Sequence, residues 1–114
     1  MEEITLHVGT VTAPRGFVQD HRRPVVFQGE ELARLSWWTG NDDSRGMKQT
    51  LYRTKDGRLV VYVEDWSRWA GEASHYYLRQ VEEADLDVGG EFEDLGREAG
   101  MARPLTLDEA LGEG

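Results

Sequence analysis

The strongest constraint on the fold of this chain is an Asp-Gly pair placed between two β-prone runs. Residues 48–54 and 58–64 flank Asp56-Gly57. Tight hairpin turns need residues that accept a positive φ angle, and Asp-Gly is a favoured pair for them. We therefore predict a hairpin with a two-residue turn at Asp56-Gly57, in which Thr54 pairs with Leu59.

This pairing assigns the two faces of the hairpin, because successive strand residues point to opposite sides of a sheet. The face that we expect to pack in the core carries Thr50, Tyr52, Thr54, Leu59, Val61 and Val63. The face that we expect to be wetter collects Arg53, Lys55 and Arg58 around Val60.

Further strands are predicted on both sides of the hairpin. Ile4, Leu6 and Val8 alternate with polar residues, which is the period of a strand with one buried face. Residues 75–81 alternate in the same way and predict a last long strand. Shorter β-prone stretches occur at 17–18 and 25–27.

The segment 32–38 is ambiguous from its pattern. Leu32 and Leu35 fit one turn of a helix, whereas Ala33, Leu35 and Trp37 fit one face of a strand. We favour a strand. The following residues, 39–46, are almost all turn formers and predict a loop.

The periodicity becomes helical near the C-terminal end. Phe92, Leu95 and Ala99 lie at helical spacing between Gly89-Gly90 and Gly100, which predicts a short helix. Residues 106–109 match a capping box and could start one more turn. The predicted fold class is α+β: an antiparallel sheet, a meander with the central Asp-Gly hairpin, followed by one or two short C-terminal helices.

The formal net charge of -9 is confined to the C-terminal third of the chain. Residues 1–79 contain eleven basic and eleven acidic side chains, whereas residues 80–114 contain eleven acids and two arginines. We interpret residues 1–104 as a single α+β domain and residues 105–114 as a loosely held acidic tail. The acidic segment is either a solvated surface that favours solubility or a surface for a basic partner.

Composition also narrows the cellular context and the possible chemistry. The longest apolar run, residues 59–63, is far shorter than the roughly 20 residues of a membrane span, so we expect no membrane association. Two acids follow Met1 where a secretory signal carries positive charge, and we expect a cytoplasmic protein. The chain has no cysteine, which excludes disulfides, thiolate metal sites and thiol nucleophiles. We expect no cofactor.

The sequence contains no recognisable catalytic or metal-binding motif. His7, His21 and His75 are far apart, and no pair has the spacing of a metal site on one helix. This absence favours a non-enzymatic interaction or regulatory domain. A small hydrolase is kept as an alternative, with a site assembled from Asp20, His21 and the Asp42-Asp43 pair.

Four tryptophans are many for a chain of this length. Trp37 and Trp38 are adjacent, so a strand sends them to opposite faces, and we expect one in the core and one at the surface. Trp66 and Trp69 flank Arg68 and could form an aromatic surface, and Trp and Arg carry much of the energy of protein interfaces. We predict that Trp38, Trp66, Arg68 and Trp69 bind a partner protein; the alternative is that all four tryptophans fill the core.

Self-association is a further expectation. A small sheet leaves edges with unpaired backbone groups, and such edges can pair with another chain. We predict a symmetric homodimer through an exposed strand edge or through residues 66–69.

The hairpin suggests an alternative function, the binding of single-stranded nucleic acid. Aromatic rings for stacking and cations for phosphate contacts come from Tyr52, Arg53, Lys55, Arg58 and Tyr62. The balanced charge of residues 1–79 and the acidic remainder argue against this function, because phosphate neutralisation dominates affinity for nucleic acid.

Several short segments together form a pattern. They are residues 32–36 (Leu-Ala-Arg-Leu-Ser), residues 50–54 (Thr-Leu-Tyr-Arg-Thr) with Gly57, Gly71-Glu72, and residues 97–101 (Arg-Glu-Ala-Gly-Met). The pattern resembles small uncharacterised prokaryotic proteins often found on plasmids and in phages, and it spans residues 27–101. Its most specific part is the Leu-Tyr-Arg-Thr-x-x-Gly hairpin. The resemblance implies an antiparallel sheet followed by a helix and supplies no activity or site residues.

Overall fold

The chain forms an antiparallel sheet with short helices after it. The computed structural model describes residues 1–12, 17–39, 45–68, 72–101 and 106–112. The strands in this part of the chain are β1 (Glu2–Thr12), β2 (Gln19–Asp20), β3 (Arg23–Thr39), β4 (Arg45–Thr54), β5 (Leu59–Ser67) and β6 (Ser74–Val81). A 3-10 helix (Glu83–Leu86) and two short helices, α1 (Glu93–Glu98) and α2 (Leu107–Ala110), follow them. The expected antiparallel sheet with late helices is confirmed, and its helical part is small.

The sheet closes on itself. Its strands pair in the order β2-β1-β3-β4-β5-β6, and β1 pairs a second time with β6. This second pairing joins residues 9–11 to residues 74–76, whereas residues 2–8 of β1 pair with β3. The sheet therefore has an inner face, across which β1 packs against strands that are not its neighbours, and an outer face.

The long strand β3 connects the two halves of the closed sheet. Its first part pairs with β1 up to Gly29, and its second part pairs with β4 from Gly29 to Thr39. A register shift between Glu31 and Ala33 marks a β-bulge, and bulges bend a strand. The separate β-prone segments predicted at 25–27 and 32–38 are thus parts of one bent strand.

The predicted central hairpin is present, but its predicted two-residue turn is wrong. The Thr54 amide donates to the Arg58 carbonyl at 2.8 Å, and the Gly57 amide donates to the Thr54 carbonyl at 2.9 Å. Lys55, Asp56 and Gly57 therefore form a three-residue loop. Gly57 has a φ angle of +88°, as the last residue of such a loop requires. The Thr54 hydroxyl accepts a hydrogen bond from the Arg58 amide at 3.0 Å and supports this geometry.

The longer loop shifts the register of β5 by one residue. Leu51 pairs with Val61 and Thr50 with Tyr62. A shift of one residue exchanges the two faces of a strand. The six residues predicted for one core face are all buried, but they divide between two faces: Thr50, Tyr52 and Thr54 on one, and Leu59, Val61 and Val63 on the other.

The outer face of the hairpin is covered by the helical segment. Leu51, Val61 and Val63 form one core cluster with Leu86 of the 3-10 helix and Leu95 of α1. Each of these five side chains is almost completely buried. The cluster fixes the helices against the sheet, because burying side chains of this size stabilises by roughly 1.5–3 kcal/mol each.

The inner face holds a second, smaller cluster. Leu6 of β1 contacts Tyr52 and Tyr62, although β1 is not a neighbour of β4 or β5 in the sheet. Both faces of the hairpin are therefore covered, which corrects the predicted division into one core face and one wetter face. The prediction of a solvent-exposed face holds only near the turn. Lys55 and Arg58 are exposed, whereas Arg53 and Val60 are half-buried.

The predicted helix near residue 95 is confirmed as α1. Its chain leaves the helix at Gly100, which has a φ angle of +72°. The Met101 amide donates to the Gly96 carbonyl at 2.8 Å, which is the bond expected of a Schellman motif. The three residues predicted at helical spacing are buried or half-buried: Phe92, Leu95 and Ala99.

Charge is distributed unevenly between the two faces. Residues 82–98, which include the 3-10 helix and α1, contain eight acids and one arginine, a net charge of -7. This layer covers the outer face, so most of the net negative charge, -7 of -9, lies on that side of the sheet. Within the described ranges, no helix combines the length and the apolar character that a membrane span requires.

Candidate functional site

A pair of tryptophans lies at one end of the inner face. Trp38 of β3, Gly46 of β4 and Trp66 of β5 are directly opposite one another in the register. The two indoles meet edge to face, with ring centroids 5.3 Å apart and planes at 90°, a favourable arrangement for aromatic rings. The Arg68 guanidinium lies over the Trp66 ring, 5.3 Å from its centroid. We call Trp38, Trp66 and Arg68 the tryptophan surface.

Gly46 makes this arrangement possible. A Cβ atom at position 46 would lie 2.2 Å from Cζ2 and 2.5 Å from Cε2 of Trp66. Contacts that short do not occur between carbon atoms, whose optimal separation is about 3.5–4.0 Å. The absence of a side chain at Gly46 therefore lets the Trp66 ring lie close over the backbone of β4.

The tryptophan surface is accessible to solvent. Trp38 is 57% exposed, Trp66 is half-buried and Arg68 is exposed. The structure thus brings together three of the four residues predicted to bind a partner. The fourth, Trp69, lies outside the described residues.

Trp37 lies on the outer face, beside α1. With Leu35 and Arg97 it lines a groove between β3 and the helix. The expected opposite orientation of Trp37 and Trp38 is present, but the expected core position is not, because Trp37 is 42% exposed. The alternative in which all four tryptophans fill the core is therefore wrong for Trp37 and Trp38.

The five hairpin residues considered for nucleic-acid binding do not form one accessible surface. Tyr52 and Tyr62 are only 8% and 6% exposed and pack inside the closed sheet. Arg53 follows Tyr52 in the strand and points to the other face. Arg58 pairs with the Asp56 carboxylate at 3.0 Å, and Lys55 is exposed at the hairpin tip. Neither tyrosine ring presents a face on which a base could stack.

Of the four residues of the hydrolase alternative, the structure describes Asp20 and His21. Asp20 accepts two hydrogen bonds from the Arg22 guanidinium, at 3.0 and 2.8 Å. These bonds lower the pKa of Asp20 to about 2, so the carboxylate is occupied by Arg22. Asp42 and Asp43 lie outside the described residues. In the part of the chain that the structure describes, no group of three or more His, Cys, Asp or Glu side chains is placed to hold a metal ion.

A polar cleft adjoins the tryptophan surface on the inner face. It has a volume of about 290 Å³, and its charged lining consists of Arg22, Arg34, Lys48 and Glu64. Lys48 lies opposite Glu64 in the register, two residues along β4 from Gly46. The cleft therefore begins in the row of residues next to the tryptophan pair. We refer to it as the polar cleft.

Tyr62 forms part of the wall of the polar cleft. Its hydroxyl donates to the His7 carbonyl at 2.6 Å. Pro24 lies opposite His7 in the register and has no amide hydrogen, so it cannot donate to that carbonyl. Burial raises the pKa of Tyr62 to about 12, and the nearby Glu64 carboxylate adds to this shift. The shift extends to higher pH the range over which the hydroxyl keeps its proton and donates to His7.

The polar cleft was missed by sequence reasoning because of the predicted register. A two-residue turn would place Lys48 opposite Asp65 and turn Tyr62 to the outer face. The three-residue loop instead places Lys48 opposite Glu64 and Tyr62 inside. Thr54 is the residue that could have indicated the three-residue loop, because its hydroxyl can form a hydrogen bond with the loop backbone.

Comparison of the chain with protein-family models, with curated proteins and with solved structures gave no match. A function for this protein is therefore argued from the tryptophan surface and the polar cleft themselves.

Proposed function

We propose that this protein is a small non-enzymatic binding domain that recognises a partner protein through the tryptophan surface. The observation that carries the proposal is the 57% exposure of Trp38 beside an edge-to-face partner ring. Trp and Arg are the residue types most enriched among the residues that dominate protein interfaces. The tryptophan surface presents two indoles and one guanidinium together.

The rigidity of the tryptophan surface supports the same proposal. Trp38 and Trp66 stand on β3 and β5, the two strands that flank β4 in the closed sheet, and Trp66 is held over Gly46 of β4. Side chains already fixed in position lose little conformational entropy when a partner binds. This arrangement favours binding over a role in which the rings only fill space.

The chemistry of the tryptophan surface defines the kind of partner. The indoles suit an apolar side chain, and Arg68 suits an acidic one, because no carboxylate among the described residues pairs with its guanidinium. The partner segment that fits combines an apolar residue with a neighbouring acid.

Selection from a random peptide library against the immobilised full-length chain tests this function. Peptides selected on the wild-type protein should lose about tenfold or more in affinity with Trp38→Ala, as expected for an interface residue of this importance. Trp37→Ala is the matched control, because it removes an exposed indole from the neighbouring position on the opposite face. Equal binding to both variants, or a selection that enriches no peptide, would contradict the proposal.

A further inference from the structure

Cations from three separate segments converge on the polar cleft. Arg22 precedes β3, Arg34 lies within β3, and Lys48 lies on β4. The lining also contains one carboxylate, Glu64, and the hydroxyl-bearing residues Thr5, Thr50, Tyr52 and Tyr62. Two further carboxylates, Asp20 and Glu31, pair with Arg22 and Arg34, so the charges around the polar cleft balance. A site for an anion here therefore depends on unused hydrogen-bond donors rather than on a net positive charge.

Among the described residues, the contacts of these cations leave hydrogen-bond donors unused. Arg22 gives two donors to Asp20, and Arg34 gives one to Glu31 at 2.6 Å, whereas a guanidinium has five N–H groups. The Lys48 ammonium lies 3.8 Å from the Glu64 carboxylate, which is beyond hydrogen-bonding distance. Lys48 is the cation best able to take another acceptor.

We infer that the polar cleft is a binding site for a carboxylate group, held by Lys48 and Arg34. A single negative charge fits the lining, because Glu64 lies beside Lys48 and would repel the second charge of a phosphate. Hydrogen bonds between ionised donors and carboxylates are stronger than neutral ones.

The carboxylate has two possible sources, a free small molecule or the acidic side chain of a partner, and the second rests on the proposed function. Lys48 lies two residues along β4 from Gly46, a distance of about 6.7 Å. An extended peptide repeats its side-chain direction at the same interval. An apolar residue on the tryptophan surface would therefore place the side chain two positions away at the entrance of the polar cleft.

Titrations followed by two-dimensional amide NMR of the full-length chain test the site. The free probes are the monocarboxylate butyrate and its uncharged amide, butyramide, and the peptide probes are acetyl-Phe-Gly-Glu-amide and the corresponding Gln peptide. We expect saturable shifts at the polar cleft with butyrate and with the Glu peptide, and none with butyramide. Equal shifts with butyramide, or none with either carboxylate, would overturn the inference.

Two substitutions in the polar cleft should act in opposite directions. Lys48→Gln should weaken carboxylate binding about tenfold or more, because it removes a charged hydrogen-bond donor. Glu64→Gln should strengthen binding, because it removes the repelling charge and releases Lys48. If both substitutions weaken carboxylate binding, as they would if each disrupted the fold, the inference is overturned. Lys55→Gln removes a lysine at the hairpin tip and is the charge-matched control.

The two sources are distinguished by Trp38→Ala. If the site serves a partner's acid, the Glu peptide should bind more tightly than butyrate, and Trp38→Ala should remove this advantage while butyrate binding is unchanged. If butyrate and the Glu peptide bind equally and Trp38→Ala affects neither, the site takes a free carboxylate, and only the proposed function of the tryptophan surface is contradicted. Equal weakening of butyrate binding by Lys48→Gln and Lys55→Gln would overturn the assignment to the polar cleft.

Discussion

Gly46→Ala tests whether the backbone of β4 determines the position of Trp66. A Cβ atom at position 46 would lie 2.2, 2.5 and 2.9 Å from three indole atoms. Restoring ordinary contacts of about 3.5 Å requires the ring to move by about 1 Å or more. Because Trp66 meets Trp38 edge to face, this movement also disrupts the aromatic pair.

The expected change in the free energy of unfolding is the sum of two costs and one gain. Overpacking costs typically 1–3 kcal/mol, about the range expected here, and loss of the aromatic pair costs about 0.5–1.5 kcal/mol. Replacing Gly by Ala within a strand returns about 0.5–1 kcal/mol of backbone entropy. Trp66 is half-buried and can move outward, which favours the lower part of the range. We expect Gly46→Ala to lower the free energy of unfolding by about 1–3 kcal/mol.

A double-mutant cycle with Trp66→Ala measures this cost directly. Urea unfolding of the four proteins gives the effect of Gly46→Ala with and without the indole. In the Trp66→Ala background, Gly46→Ala should be neutral or slightly stabilising. The exciton signal of the coupled indoles in circular dichroism should be lost in both single variants. An equal loss of stability in the two backgrounds would refute the argument, because the clash would then lie elsewhere.

Further predictions concern the turn, the tail, the inner face and self-association. Gly57→Val should cost about 1 kcal/mol or more, because a β-branched residue resists a positive φ angle, and an unchanged urea midpoint would contradict this. Removal of residues 105–114 should leave the melting temperature nearly unchanged, because Leu107 is 74% exposed; a large fall would show that the tail packs on the domain. The pKa of Tyr62 is raised from 10.0 to about 12 in the folded protein. As the pH rises, the unfolded chain therefore loses this proton before the folded protein does, and the free energy of unfolding should fall between these two pH values. Tyr62→Phe should show a smaller fall across the same range in pH-dependent urea unfolding. We also predict a homodimer, because among the described residues the part of β6 from 77 to 81 pairs with β5 but not with β1 and so presents a strand edge. Sedimentation showing pure monomer at micromolar concentration would contradict the homodimer, and a dimer unaffected by Trp69→Ala would place the contact at the strand edge.

Much of the fold could be predicted from local patterns. The alternation of Ile4, Leu6 and Val8 and the helical spacing of Phe92 and Leu95 each identify an element, because these periods follow from backbone geometry. The tryptophan surface was also accessible to sequence reasoning. Trp38, Trp66 and Arg68 belong to residue types that are common at interfaces, although nothing in the sequence placed Trp38 opposite Trp66.

The polar cleft could not be predicted because it depends on register. An Asp-Gly pair is compatible with both a two-residue turn and a three-residue loop, and the choice shifts β5 by one residue. The Thr54 hydroxyl stabilises the longer loop through the Arg58 amide. Closure of the sheet is also non-local, because it requires the β-bulge between Glu31 and Ala33 and pairing between residues far apart in the chain.

The acidic layer on the outer face gives the molecule an uneven electrostatic field. Packed layers lie about 10 Å apart, which is close to the Debye length at about 0.1 M salt. An acidic partner approaching the polar cleft at low salt therefore still experiences the repulsion of residues 82–98 through the sheet. Added salt screens that long-range repulsion more than it screens a direct contact with Lys48. The association rate of such a partner should rise with ionic strength, the reverse of the dependence usual for oppositely charged proteins.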